Sequence, residues 1–184
     1  MDSTDEIARW RPLVHWLLAI PQLAVIYVLR GVAGILWIIS FFTILFTKRI
    51  LPGVYNFTVM VHRYEWRVMS YLLWFRESYP PFEFELVTQD PGDDPAKLTV
   101  GEQPELNRWL PLVKWLLIIP QLFVLFFVGI AFYVVWIIAF FAVIFTGRWP
   151  EGMRNFAIGV MRWGMRVSLY TYLLTDVYPP FSLD

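Results

Sequence analysis

Two pairs of arginines, Arg63/Arg67 and Arg162/Arg166, sit four residues apart among tryptophan, tyrosine and methionine. On a helix that spacing places both guanidinium groups on one edge, which they share with Asn56 and Asn155 respectively. Such an edge can hold nucleic-acid phosphates while the rings stack on bases, meet lipid headgroups, or pair with a carboxylate of the other copy, Glu65 or Asp176. The remaining reactive side chains are sparse. There is no cysteine and there are two histidines, His15 and His62, which excludes disulfides, thiolate chemistry and a histidine-built metal site. No glycine-rich phosphate loop, serine elbow or close carboxylate pair is present. Glu77 and Asp176 stand just before prolines and are expected to cap or pair. The chain is therefore expected to be no enzyme and to need no cofactor or metal.

The elements that carry these arginines are unusually apolar. Of 184 residues, 58% are hydrophobic, 19% aromatic and 16% charged, against about 45–50% apolar and about 25% charged in a soluble domain. Lipid is the solvent that balance calls for. Net charge is zero, so bulk electrostatics selects no partner. The opening MDSTDEIARW is acidic and lacks the basic start and small-residue end of a secretory signal. The first apolar run is expected to stay as an anchor.

A shift of 99 positions lays WRPLVHWLLAIPQL on WLPLVKWLLIIPQL, WIISFFTILFTKR on WIIAFFAVIFTGR, and YPPF on YPPF, with 32 of 73 positions identical. The chain is a tandem duplication: unit 1 over residues 9–82, a linker over 83–107, and unit 2 over 108–184. The linker holds seven acids against Lys97, with three prolines, and reads as solvated, with a short strand at its start.

Between Lys114 and Arg148 lie 33 residues without a charge. As one helix they would span about 50 Å, against a hydrocarbon layer of about 30 Å. Turns at Arg30–Gly34 and at Gly129 would fold each run into a hairpin. Both units carry cations at equivalent places (Arg9/Arg108, Arg49/Arg148, Arg63/Arg162, Arg67/Arg166), so an even number of passes keeps them on one side, as the cytoplasmic excess of Lys and Arg demands. The other arrangement is one tilted helix per unit, preceded by an interfacial helix ending at Pro21 or Pro120. Pro21-Gln22 and Pro120-Gln121 should kink the apolar arms, the amides restoring backbone bonds or joining the repeats. A polar contact for a substrate at membrane depth is the functional alternative.

Beyond each hairpin the 3.6-residue period returns. Phe156, Val160, Trp163, Val167, Tyr170 and Leu174 form one stripe, matched by Phe57, Val61, Tyr64, Val68, Tyr71 and Phe75. Several arginines make another crossing costly, so this helix is expected to lie in the interface with its guanidinium groups on phosphates. That setting disfavours nucleic acid. Tyr79-Pro80-Pro81-Phe82 and Tyr178-Pro179-Pro180-Phe181 must leave the helix and are expected to fold back as a cap. The fold class is an all-α membrane protein of two repeats, each a transmembrane or re-entrant helical hairpin followed by an interfacial amphipathic helix.

FTGRWPEG, GVMRWGMRV and LLTDVYPPFSL resemble the signature of a bacterial integral membrane family called domain of unknown function 4389. Unit 1 departs from it with Lys48 in place of the glycine after FT, and with FRESYPPF. The resemblance implies a bacterial membrane location and no catalytic residue. The expected protein is a multi-pass resident of the cytoplasmic membrane, its termini and basic surface facing the cytoplasm. The expected role is a scaffold, membrane shaper or accessory subunit, with lipids and either partner subunits or further copies of itself as partners. Transport or handling of a lipid or other hydrophobic molecule is the alternative. Arg49, Arg63, Arg67, Arg148, Arg162 and Arg166 are the candidate headgroup or partner contacts.

Overall fold

The computed structural model describes residues 7–90, 92 and 94–184. The acidic start, residues 1–6, and linker residues 91 and 93 lie outside the described residues. Five helices follow in order: α1 (Arg11–Leu18), α2 (Ile20–Thr47), α3 (Pro52–Leu72), α4 (Leu110–Thr146) and α5 (Glu151–Thr171). No strand occurs among the described residues, so the one expected at the start of the linker is not formed.

The expected hairpin turns are absent. α2 runs unbroken through Arg30–Gly34, and α4 continues for 37 residues through both Pro120 and Gly129. An uninterrupted helix satisfies each backbone group internally, which an opened turn in apolar surroundings would not. In unit 1 the helix is interrupted only at Ala19, two residues before Pro21. Reversal comes later, at Lys48–Leu51 and Gly147–Pro150, so each unit is a pair made of its apolar helix and its arginine helix.

Each pair packs antiparallel. Tyr64 and Val68 pack on Ile26, Met60 and Val61 on Ala33, and Tyr55 and Val59 on Ile44. In unit 2, Trp163, Val167 and Tyr170 meet Ile118, while Ala157 and Ile158 meet Ala139 and Val143. The stripes read from the sequence thus face the apolar helices. α2 and α4 are long and apolar enough to cross a membrane, with mean hydropathy 2.1 and 2.8 over their most apolar windows. Only 17% and 6% of those windows are buried within the chain, unlike the core helix of a soluble protein.

The two units interlock by exchange. Ile7 N–H donates to Gly147 O at 2.8 Å, and Leu106 N–H to Lys48 O at 3.0 Å. These bonds are the same contact with the repeats swapped. α3 ends in a left-handed Trp74 (φ 60°), with Phe75 N–H bonded to Ser70 O and Trp74 N–H to Tyr71 O, the Schellman pattern. α5 ends alike at Leu173 (φ 66°). Each terminus inserts into the other unit: Trp74 and Phe75 against Val143 and Trp149, Leu173 and Leu174 against Ile44 and Ile50. Reciprocal contacts of this kind define a pseudo-two-fold axis. Trp74 stacks on Trp136 at 5.3 Å, so the start of unit 1's apolar run lies beside the C-terminal half of α4. α2 and α4 are therefore antiparallel, and the axis is perpendicular to both.

Lys48 (φ 60°) is exposed, and Gly147 (φ 73°) holds its place in unit 2. A left-handed non-glycine residue costs about 1–2 kcal/mol, partly offset by the unfolded-state freedom that glycine adds. Lys48→Gly is expected to stabilise the protein by about 0.5–1 kcal/mol, and Gly147→Lys to destabilise it. Thermal midpoints in detergent micelles measure both.

Candidate functional site

Gln22 and Gln121 sit on the predominantly apolar helices α2 and α4, and both are fully buried. The sequence suggested that each would repair its own helix or reach the other repeat; neither does. Each clamps the closing segment of its own unit. Gln22 Nε2 donates to Pro80 O at 2.8 Å, and Gln121 Nε2 to Pro179 O at 2.6 Å. Each amide oxygen accepts from an aromatic donor at one repeat position, Tyr64 Oη in unit 1 and Trp163 Nε1 at 2.8 Å in unit 2. Burial pushes the Tyr64 hydroxyl up to about 12, with Tyr79 adding to the effect, so it stays a donor. Tyr79 meets Tyr71 edge-on at 5.5 Å, and Tyr178 meets Tyr170 likewise at 5.8 Å. Phe82 and Phe181 complete the seats against Tyr64 and Trp163. Pro80 and Pro179 are buried, whereas Pro81 and Pro180 are exposed.

Beyond the clamp the two units diverge. In unit 1 the chain continues as the linker and covers α3. Arg63 is 1% exposed and donates to Glu85 O (2.6 Å), Val87 O (2.9 Å) and Gln89 O (3.0 Å). Arg67 is fully buried between the carboxylates of Glu83 and Asp90. Arg76 pairs with Asp94. Further along, Tyr55 Oη donates to Gly101 O at 3.3 Å and Gln103 Nε2 to Ile50 O at 3.0 Å. The linker is thus fixed from the C-terminal end of α3 back to its start. Two expectations are corrected here. The linker is packed rather than merely solvated, and Arg63 and Arg67 are buried beneath it on its carbonyls and carboxylates rather than facing headgroups.

In unit 2 the chain ends instead. Arg166 donates to Asp184 O at 2.7 Å and to Ser182 O, while Arg162 is exposed. Gly159 makes room for this tail: a Cβ there would lie 2.5 Å from Leu183 O. Arg49 pairs with Glu105 at 3.2 Å on the surface, and Arg148 is exposed at the matching corner. Glu65 and Asp176 do not pair with the arginine edge. Glu65 meets Arg30 at 3.3 Å, and Asp176 meets Lys114 at 2.9 Å. Glu77 and Asp176 also accept the N–H of Ala8 (2.8 Å) and Asn107 (2.6 Å), tying the start of each unit to its end. His15 and its counterpart Lys114 both bind the end of the arginine helix in their own unit. His15 Nδ1 lies 2.9 Å from Tyr71 O, and Lys114 Nζ donates to Thr175 O at 2.6 Å. These contacts hold the chain segments of each unit together.

Tyr64/Trp163, Glu83, Asp90 and Asp94 escaped the sequence reading. The first pair had a signal, since both members are aromatic N–H or O–H donors at one repeat position. The acids had none, because several register positions of an unstructured linker could reach the arginines.

Replacing Gln121 by leucine removes two hydrogen bonds and strands a buried carbonyl and indole, so about 2–3 kcal/mol should be lost. Carboxypeptidase should then trim the tail faster, and an unchanged rate would contradict the clamp. Burial alone would raise Asp94, yet the Arg76 hydrogen bond, the Ala96 N–H and nearby guanidinium charge hold it below its ordinary value. A depressed folded pKa adds stability that is complete above about pH 4 and fades as pH falls further. The gap in thermal midpoint between wild type and Asp94→Asn should therefore be widest near neutrality and close below about pH 4.

The family model described as Domain of unknown function (DUF4389) matches residues 9–83 and 109–182. No curated protein and no solved structure matches the chain. Both matched stretches end at the clamped prolines and phenylalanine, where the structure closes each unit. The chain belongs to the DUF4389 family, as two tandem copies of its domain.

Proposed function

We propose that this is a non-catalytic membrane protein lying within one leaflet, with α2 and α4 immersed along their length in the acyl layer and α3, α5 and the linker at the headgroups. The single observation behind this reading is the linker bound from end to end of α3. If α2 crossed the bilayer, its antiparallel partner α3 would draw that linker, with exposed Glu85, Lys97 and Glu102, through hydrocarbon at a prohibitive cost. With the helices in the plane, oil and water meet along a boundary parallel to them.

Three further features support the same placement. α4 would measure about 55 Å, well beyond the hydrocarbon thickness of about 30 Å. Exposed Phe82, Phe84 and Leu86 alternate with Glu83 and Glu85, as suits an extended chain lying along such a boundary. The pseudo-two-fold axis is perpendicular to α2 and α4. In-plane helices put it along the membrane normal, so the cations of both units share one side, in keeping with the positive-inside tendency.

The immersed surface is large and aromatic: Tyr27 is 82% exposed and Phe145 is 72% exposed, with Phe42, Phe46, Phe126 and Phe141 beside them. Two such helices in one leaflet occupy area that the other leaflet does not supply, which is the action of a membrane wedge or scaffold. The bacterial cytoplasmic membrane, with the arginine side toward the cytoplasm, is the proposed location. Lipids are the first partner, and partner subunits or further copies of the chain the second.

The chain's lack of cysteine makes a direct test simple. Single cysteines at Trp10 and Thr47, the two ends of unit 1's apolar run, should both react with a membrane-impermeant maleimide from one face of sealed proteoliposomes. Reaction from opposite faces would mean that α2 crosses.

A further inference from the structure

Where α3 and α5 lie side by side near the pseudo-two-fold axis, a cavity of about 310 Å³ opens between the units. Its walls include Met69, Phe132, Met161 and Met165, and thioether side chains adapt to irregular apolar guests. The volume is at the lower end of small-molecule sites. One edge of the cavity is charged. Arg30 is the only charged residue of α2, a costly place for a cation in contact with lipid. It meets Glu65 at 3.3 Å from Nε, and its side chain is 45% exposed against 14% for Glu65. Among the described residues its terminal amino groups donate no hydrogen bond, leaving a planar fork suited to phosphate.

This is also where the duplication breaks its symmetry. The counterparts of Arg30 and Glu65 are Gly129 and Gly164, each with open space where a Cβ would stand. Gly164 itself lines the cavity. One charged edge and one hollowed wall make a single site per chain.

We propose that this groove holds one anionic phospholipid, its phosphate on the free edge of Arg30 and an acyl chain along the methionine wall. The proposal rests on the one-leaflet reading for the lipid's route to the groove. It is tested separately, because binding can be measured in detergent whatever the helix orientation.

Lipid-stripped protein in micelles is given phosphatidylglycerol or phosphatidylcholine with identical oleoyl chains, and bound lipid is counted by native mass spectrometry. Wild type should retain one phosphatidylglycerol per chain with about tenfold preference over phosphatidylcholine, and millimolar inorganic phosphate should not displace it. Arg30→Gln should lose the headgroup preference. Glu65→Gln should keep it, since the guanidinium stays. Gly164→Phe, which fills the groove from an open position, should lose both lipids. Circular dichroism confirms folding, and Gly164→Leu replaces the phenylalanine variant if that one unfolds. No headgroup preference in wild type, equal loss in Arg30→Gln and Glu65→Gln, displacement by phosphate, or full retention by a folded Gly164 variant would each overturn the proposal.

Discussion

The buried guanidinium groups of α3 govern the architecture. Arg63 and Arg67 have almost no contact with water, so their charge has to be met inside the chain, and the linker brings three carbonyls and two carboxylates to them. Removing one side of a buried charge pair leaves the other uncompensated, at about 3–5 kcal/mol. The linker is therefore held against α3, and α3 lies along α2. One face of unit 1 is consequently acidic and peptide-rich over its length, and the opposite face is aromatic and aliphatic over the same length. On the proposed one-leaflet placement, an oil–water boundary parallel to the helices satisfies both faces.

The duplication reuses one device for two ends. In each unit a buried glutamine and an aromatic donor grip the carbonyl of the first proline in YPPF. In unit 1 the gripped segment launches the linker over α3. In unit 2 it launches the short C-terminal tail along α5, past Gly159. The swapped hooks of Ile7 and Leu106, and the exchanged left-handed termini Trp74 and Leu173, then lock the units around the pseudo-two-fold axis. Where the copies differ, the difference has local physical content. Lys48 bears strain that Gly147 does not, and Arg30 and Glu65 bring charge where Gly129 and Gly164 leave space.

Much of this was legible in the residues. The repeat, the arginine helices and their apolar stripes, and the exit of YPPF from the helix all follow from spacing and proline chemistry, but the stripes pack on α2 and α4 where the sequence suggested acyl chains. The path of the apolar runs was not legible in the same way. A length between one and two bilayer crossings invites a hairpin, and glycines at 31, 34 and 129 look like its turn. The decisive information lies in tertiary pairing: α3 and α5 pack back antiparallel on α2 and α4, which a one-dimensional pattern does not show. The glutamines illustrate the same limit. Their polarity marked them out, but their partners lie 58 residues away, and only the docked prolines reveal what the amides are for.

Because α3 packs antiparallel on α2 and α5 on α4, the orientation of these helices to the bilayer is the quantity on which the one-leaflet placement stands. Polarised infrared spectroscopy of the protein in aligned bilayers reads it from the dichroism of the helical amide I band. The account predicts transition moments concentrated in the bilayer plane, with helix axes close to parallel to the surface. A dichroism showing the axes along the membrane normal would contradict it.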